Sequence, residues 1–309
     1  MAHVTVLGSL TYDCISHVAD FPRSGHTAVA SDLTFRLGGR GGNQAVAAAR
    51  HGSTVSLLGC VGDDSAGGEY LNALKMYGVE IDAIIQRPDV PTGMGMITVN
   101  ARGESQTVLF PGANDSLKPS DLEMRQSFIA RAAIFLCQLE MPMEVTLAAL
   151  RLAPMMGTAT CLNASPWRAD FPWGEVELDY VIVNDAESRD LLSRAALHLG
   201  DGAWVLHKLE QLHIQTLIIT RGPDSTLVFS RREGLMEIPT RQMSPLDAAC
   251  AGDAFAGVFC ARWAENRDFI RSLRAAGAAG TLTTQREGAM DSLPNREKVD
   301  AMLLELGYA

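Results

Sequence analysis

The sequence predicts an α/β protein with a doubly wound, mostly parallel sheet flanked by helices. Two observations support this fold class. Short apolar runs of the kind buried in parallel sheets recur along the chain, and segments of helix-forming composition lie between them. With 309 residues, 47% of them hydrophobic, the chain can bury one large core. We therefore expect a single domain over residues 1–309.

Five apolar runs are predicted to be parallel strands, because short continuous apolar segments suit strands that are covered on both faces. They are 4–7, 55–58, 133–137, 180–183 and 216–220. The predicted helices are 43–51, 66–77, 142–153, 185–197, 203–212 and 252–265. Ligands of such sheets bind at the carboxyl ends of the strands. Polar residues at or just after these ends are Thr11, Asp13, Asn184 and Thr220.

Two segments, 14–36 and 93–112, depart from this alternation of strands and helices. In the second segment, residues 93–100 and 105–110 have strand-like composition and flank Gly103. Two such runs around a glycine turn predict a β-hairpin.

Composition argues against several classes of protein. A formal net charge of -10 disfavours general binding to nucleic acids or anionic membranes. No apolar run reaches the ~18 residues of a membrane span, and no basic segment precedes an apolar one at the start, so we expect a cytoplasmic location. The six cysteines show no metal-ligand spacing, which predicts reduced thiols.

Residues 247–257 place one carboxylate, Asp253, where a turn of small residues enters an apolar helix. The first turn of a helix has unpaired N–H groups, so Ala251, Gly252 and Asp253 can present donors to a phosphate. A carboxylate there can take a proton from an attacking hydroxyl group. This pattern predicts a kinase that acts on an alcohol, although an ordinary acidic N-cap explains the segment equally well. Cys250 beside it could have a lowered thiol pKa or be a small packed residue, and we favour the latter.

The segment Leu37–Gln44 has four glycines in five positions and leads into a strong helix former. Glycine at positions 39 and 41 lets the backbone approach a ligand, while Arg40 and Asn43 offer groups that grip hydroxyls. A flexible loop is the alternative. The segment does not match G-x-G-x-x-G, and the chain contains no G-x-x-x-x-G-K-[ST], so neither a Rossmann dinucleotide site nor a P-loop is supported.

Together the two segments resemble the two sequence patterns of the ribokinase-like, or PfkB, family of carbohydrate kinases, and within it they are most similar to ribokinase. Further matches follow the family's order at 6–13, 59–64, 111–114, 138–140 and 286–292. The resemblance implies an ATP-dependent carbohydrate kinase that phosphorylates a primary hydroxyl of ribose or a related sugar, with Asp253 as base. It also implies a small β-sheet lid, formed by about 14–36 and 93–112, and a homodimer that forms through this lid.

The resemblance also implies roles for the matching residues. The implied sugar contacts are Thr11, Asp13, Gly39, Arg40, Gly41, Asn43, Glu140 and Asp253. The implied catalytic residues are Cys250, Ala251, Gly252 and Asp253. The implied ATP contacts are Asn184, Thr220, Gly222, Gly252 and Ser225, the last at a position where the family often has glycine. Glu187 would hold Mg²⁺ through water, and a monovalent cation such as K⁺ would lie among Asp247, Ala249, Arg286, Gly288 and Ser292.

The sequence leaves the identity of the phosphoryl acceptor open. Ribokinases usually have Asn-x-Asp and Lys where this chain has Thr11-x-Asp13 and Arg40, so a pentose, a hexose, a sugar acid or a nucleoside is each compatible. Arg40 could favour an acidic sugar. Met94, Met96 and Phe110 could line a site for a nucleoside base or could form the core of the lid. A further alternative is a catalytically silent regulator that binds sugar or nucleotide; the presence of Asp253 argues against it.

Overall fold

A ten-stranded sheet forms the centre of the computed structural model, which describes residues 2–194 and 197–308. With all strands of the fold numbered in chain order, those of this sheet are β1 (His3–Leu7), β4 (Thr54–Gly62), β5 (Val79–Glu80), β6 (Ile84–Arg87), β9 (Ile134–Cys137), β10 (Ala159–Asn163), β11 (Leu178–Asn184), β12 (Ile214–Thr220), β13 (Thr226–Ser230) and β14 (Gly234–Ile238). Their order is β14-β13-β12-β11-β10-β9-β1-β4-β5, and β6 also pairs with β4. All pairs are parallel except β12 with β13 and β13 with β14. The predicted fold class is confirmed.

Helices cover both faces of this sheet. They are α1 (Arg40–Ala49), α2 (Ser65–Met76), α3 (Pro119–Glu123), α4 (Gln126–Ala130), α5 (Met143–Met155), α6 (Asp185–Leu192), α7 (Gly202–Gln211), α8 (Ala251–Asn266), α9 (Phe269–Thr283) and α10 (Arg296–Glu305). Neighbouring residues of a strand point to opposite faces, so Leu57 belongs to one apolar cluster and Leu58 to the other. None of the helices in the described part of the chain is both long and apolar enough to cross a membrane.

The predicted strands and helices are all present, mostly with small shifts in their bounds, and two differences have a clear structural cause. The first helix begins at Arg40 instead of residue 43, so two glycines lie within its first turn. The helix predicted to reach residue 197 ends at Leu192, because Ser193 adopts a left-handed conformation with φ 52. Residues 195 and 196 of that predicted helix lie outside the described residues. The strands β5, β6, β10, β13 and β14 and the helices α3, α4, α9 and α10 were not predicted.

A separate four-stranded sheet, the lid, has the order β3-β2-β7-β8. Its strands are β2 (Thr11–Val18), β3 (Asp32–Gly38), β7 (Met94–Asn100) and β8 (Ser105–Phe110). Strands β7 and β8 are antiparallel around Gly103, which has φ 77, so the predicted hairpin is confirmed. Because β2 begins at Thr11, Asp13 lies within a lid strand and not in a loop.

Candidate active site

A cavity of about 1030 Å³ lies between the lid and the carboxyl ends of the main-sheet strands. Ligands of open α/β sheets bind at these ends, and this volume is at the upper limit for small-molecule sites. The predicted site residues that line it are Thr11, Asp13, Gly39, Arg40, Asn43, Glu140, Asn184, Glu187, Thr220, Gly222, Ala249, Cys250, Ala251, Gly252 and Asp253. The fold therefore brings most of the predicted residues to one place.

Of the residues predicted to contact sugar or ATP, two lie outside the cavity wall for identifiable reasons. Gly41 packs against the backbone of Gly8, where an added Cβ would overlap main-chain atoms, so it lets α1 approach the loop after β1. The Ser225 hydroxyl donates to Glu237 and accepts from Arg221, which directs it away from the cavity.

Asp253 is in the first turn of α8, and its side chain is held by three residues of α1. Gln44 Nε2 donates to Oδ1 at 2.9 Å, and Asn43 Nδ2 donates to Oδ2 at 3.0 Å. Arg40 Nη1 lies 3.8 Å from Oδ1. Burial raises the pKa of the Asp253 carboxyl, while Arg40, Gln44 and Asn43 oppose that rise. A buried carboxylate in a fixed orientation is suited to accept a proton.

The backbone around Asp253 offers donors to an anion. Ala251, Gly252 and Asp253 form the first turn of α8, whose N–H groups have no acceptors within the helix. The Ala251 N–H donates only at long range, 3.5 Å, to the carbonyl of Ala248. All three residues line the cavity, so a phosphate there would meet N–H groups and the positive end of the helix dipole.

Cys250 precedes this turn and has a left-handed conformation with φ 60. Burial, together with the nearby Asp253 and Asp247 carboxylates, raises the pKa of the Cys250 thiol well above its ordinary value. The alternative of a lowered thiol pKa was therefore wrong, because burial and the two carboxylates favour the neutral thiol. Asn43 Nδ2 lies 3.2 Å from Cys250 Sγ, as expected for a packed neighbour of the site.

Asp13 projects from β2 into a gap between two glycines of the lid. The Gly95 N–H donates to Asp13 Oδ1 at 3.1 Å. A Cβ added at Gly95 would lie 2.5 Å from that oxygen, and one added at Gly38 would overlap Oδ2. Burial raises the pKa of the Asp13 carboxyl, which the hydrogen bond from Thr11 partly offsets. The two glycines thus make room for a carboxylate that faces the cavity.

Arg40 is already paired with carboxylates. Its Nε lies 3.3 Å from Glu140 Oε1, in addition to its contact with Asp253, and Ser9 also donates to Glu140. Asp13 lines the same cavity, so three carboxylates and one guanidinium face it, and two of these carboxylates pair with the guanidinium. This wall suits neutral hydroxyl groups, because carboxylates accept hydrogen bonds from them and repel anions.

The lid covers the cavity with Gly95, Ile97, Thr107 and Leu109. Met94, Met96 and Phe110 alternate with these residues along β7 and β8 and are not part of the cavity wall. Side chains of a strand point alternately to its two faces, so the prediction that these three residues could line a site for a base was wrong.

At the other end of the cavity, Asn184 and Glu187 form a reciprocal cap of α6. Asn184 Oδ1 accepts from the Glu187 N–H at 2.8 Å, and Glu187 Oε2 accepts from the Asn184 N–H at 2.8 Å. No group of three or more His, Cys, Asp or Glu side chains in the described ranges could hold a metal ion. One buried carboxylate nevertheless fits Mg²⁺, which keeps several waters and binds substrate phosphates.

Asp247 joins the two turns that carry the predicted monovalent-cation residues. Its Oδ1 accepts from the Ala249 N–H at 2.9 Å, and its Oδ2 accepts from the Gly288 N–H at 3.2 Å. Ser292 is buried in the second turn and donates to the Ala289 carbonyl at 2.7 Å. Arg286 starts that turn, where its N–H donates to the Thr283 carbonyl at 3.2 Å.

Several residues at the site were not predicted. Gly277, Gly280, Thr281 and Thr284 follow one another along α9 and its end and line the cavity beside the segment 240–245. They occupy positions i, i+3, i+4 and i+7, a helical pattern that the small side chains obscured. Gln44 and Asn163 contact each other next to Asp253, although 119 residues separate them in the chain.

Comparison with known proteins adds four findings. The model of the pfkB family of carbohydrate kinases matches residues 1–296. Ribokinase of Haemophilus influenzae is 30% identical over 298 residues, which cover 96% of each chain. The structure of ribokinase from Giardia lamblia superposes with a TM-score of 0.89 at 25% identity and 99% coverage of each chain. That of ribokinase from Cryptococcus neoformans in complex with ADP gives 0.81 at 29% identity, covering 98% of this chain and all of the other.

Proposed function

Because the chain belongs to the pfkB family of carbohydrate kinases, we propose that it transfers the γ-phosphoryl group of ATP to a primary hydroxyl of ribose or a related neutral sugar. The observation that carries the proposal is the setting of Asp253. This buried carboxylate is fixed by Asn43 and Gln44 at a helix start whose N–H groups line the same cavity. A base and an anion site are therefore adjacent, as phosphoryl transfer to an alcohol requires.

In the proposed reaction the sugar hydroxyl oxygen attacks the γ-phosphorus, the bond from that phosphorus to the ADP oxygen breaks, and the hydroxyl proton passes to Asp253. The N–H groups of Gly252 and Asp253 face the charge that develops on the phosphoryl oxygens. Bound Mg²⁺ would neutralise phosphate charge, and Glu187 would hold one of its waters. The rest of the rate enhancement would come from positioning the two substrates next to each other.

The nucleotide would occupy the end of the cavity lined by Thr220, Gly222 and the exposed face of α9. Gly277 and Gly280 leave that face without bulky side chains, which suits a flat base. The similar structure from Cryptococcus neoformans is a complex with ADP, which supports the proposal that this chain also binds a nucleotide.

The charge of the sugar end favours a neutral acceptor over a sugar acid. Arg40 is already paired with Glu140 and Asp253, so an added carboxylate would meet these two carboxylates and Asp13, which lines the same cavity. Asp13 and Glu140 would accept hydrogen bonds from the sugar hydroxyls, with Thr11 and Asn43 beside them.

We further propose that residues 1–309 act as one kinase domain with a lid at about 14–36 and 93–112, that K⁺ binds at the turns joined by Asp247, and that two chains pair through the lid. The position of Asp247 supports the proposed cation site. It accepts hydrogen bonds from both Ala249 and Gly288, so that carbonyl groups of the two turns can converge on one cation. Exposed apolar side chains on the outer face of the lid support the dimer.

The test is ADP release with Mg²⁺-ATP and K⁺ across pentoses, hexoses, sugar acids and nucleosides, with Asp253→Asn alongside. We expect turnover with neutral sugars and a loss on the order of 10²–10⁴-fold in the variant, whose fold and ATP binding persist. Wild-type turnover by Asp253→Asn would contradict the assignment of the base. ATP binding without turnover on any acceptor would instead favour the silent regulator.

A further inference from the structure

The buried amide of Gln44 uses every hydrogen-bonding group that it has. Its side chain in α1 is 0% exposed. Nε2 donates to Asp253 Oδ1 at 2.9 Å and to Asn163 Oδ1 at 2.9 Å, and Oε1 accepts from Gln138 Nε2 at 2.7 Å. A primary amide has two N–H donors and one oxygen, so this arrangement satisfies both protons and the acceptor.

The neighbours of Gln44 permit one orientation of its amide. Asn163 Nδ2 donates to the Ile182 carbonyl at 3.2 Å, so Asn163 Oδ1 is the atom that faces Gln44. A reversed Gln44 amide would place its oxygen against two other oxygens, Asn163 Oδ1 and Asp253 Oδ1, and lose the hydrogen bonds to both. Gln138 follows β9 and Asn163 ends β10, so the centre of the main sheet sets this orientation.

We infer that Gln44 is a positioning residue for phosphoryl transfer: its amide fixes Oδ1 of Asp253 so that the carboxylate faces the substrate hydroxyl. Gln44 does not line the cavity and so does not touch substrate, whereas Asp253 does line it. Asn43 fixes the other carboxylate oxygen from the cavity side. Each oxygen of an ionised carboxylate has two lone pairs, so one on each stays available for the hydroxyl proton. The inference rests on the proposed role of Asp253 as base.

Gln44 also affects the proton affinity of Asp253. The charged or titratable groups around that carboxyl are Arg40, Glu140, Cys250 and Tyr70. Burial raises the pKa of Asp253, and the hydrogen bond from Gln44 opposes the rise without adding a charge. Removal of this bond should raise the pKa further. The fall of kcat/KM at acid pH, which reports protonation of the base, should then occur at higher pH.

The experiment compares the pH profiles of Gln44→Met and Thr216→Val, using the best acceptor of the panel. Gln44→Met keeps the side-chain length and removes the donor. Thr216→Val removes a buried hydrogen bond, 2.8 Å from Thr216 Oγ1 to Ser230 Oγ, away from the cavity. We expect the acid limb of Gln44→Met at higher pH and kcat reduced by up to about 100-fold. Thr216→Val should lose stability only.

A second variant guards against a failure of Gln44→Met to fold. Gln44→Glu keeps the shape and places a second carboxyl beside Asp253, and two carboxyls this close share a proton. Its acid limb should therefore also lie at higher pH. An acid limb and a kcat per folded molecule equal to those of the wild type, in either variant that folds, would overturn the inference.

The Asp253→Asn variant separates this inference from the proposed function. If Asp253→Asn is inactive while the Gln44 variants titrate like the wild type, only the positioning role is wrong. If Asp253→Asn retains wild-type turnover, the base itself is misassigned and both proposals fall.

Discussion

Cys250 and Asp253 lie three residues apart at one helix start, and burial raises the pKa of both side chains. The effect on the protonation state differs between the two side chains. Asp253 starts from a low ordinary pKa, and three donors of α1 oppose the rise, so a carboxylate base remains reasonable. The thiol starts from a higher value and has two carboxylates nearby, so it stays protonated.

Cys250 should therefore be a slow nucleophile in the folded protein. The thiolate is the reactive form, and a raised pKa keeps the neutral thiol to higher pH than in an ordinary cysteine. The measurement is the alkylation rate of the Cys250 peptide against pH, by mass spectrometry, in folded and in urea-unfolded protein. In the folded protein the rate should still rise where an ordinary thiol, with a pKa of ~8.5, has levelled off. Equal profiles in the two states would show that the thiol is unperturbed.

The sequence could identify Asp253, Asn43 and Arg40, because each belongs to a short local pattern at a helix start. It could not identify Gln44. An amide in a helix has no local signal, and its function depends on Gln138 and Asn163, which are 94 and 119 residues away. Contacts over such distances are set by strand order, which the local pattern does not contain.

Among the elements, the main-sheet strands that were predicted all have a continuous apolar run, although β13, with the sequence Thr-Leu-Val-Phe-Ser, was missed despite such a run. Strand β10, with the sequence Ala-Thr-Cys-Leu-Asn, was missed because threonine and asparagine interrupt its apolar run. The lid hairpin was predictable from its turn, but the face that each side chain occupies was not. Ile97 and Leu109 face the cavity while Met96 and Val108 face outward, and this depends on where the lid lies.

Substitution of the lid glycine Gly95 tests how β7 holds Asp13. In Gly95→Ala the new Cβ would lie 2.5 Å from Asp13 Oδ1, so the end of that side chain must shift. Because a side chain moves and the backbone does not, we expect a folded protein whose kcat/KM for the sugar falls roughly 10- to 100-fold. Steady-state kinetics against both substrates should locate the loss in the sugar KM, with the KM for ATP unchanged.

Gly68→Ala is the matched control, since a Cβ there meets nothing within 4 Å and the residue lies inside α2. It should leave kinetics unchanged and stabilise the protein by about 1 kcal/mol, because alanine is a better helix former than glycine. Wild-type sugar kinetics in Gly95→Ala would show that Asp13 is not held by the glycine gap or does not contact the sugar.

At the scale of the whole molecule, the outer face of the lid carries large apolar side chains that remain exposed in a single chain. Leu33, Phe35, Met96, Val108 and Phe110 are each between 45% and 64% exposed there. The register places Phe35 opposite Cys14, Cys14 opposite Met96 and Met96 opposite Val108, so these side chains form one surface across the four strands. Contiguous apolar surface of this kind is typical of an interface between proteins.

We expect the wild-type protein to sediment as a dimer, and the double variant Phe35→Asp/Val108→Asp to sediment as a monomer. Two carboxylates buried without partners in the interface would cost more than a typical interface can compensate. Met76→Asp is the control, because Met76 is equally apolar and 83% exposed but lies at the end of α2, outside the lid. It should remain a dimer. If the wild type is a monomer at every concentration, the lid does not pair with a second copy. If the double variant is a dimer, the chains pair through another surface, and the apolar face of the lid must serve a different contact.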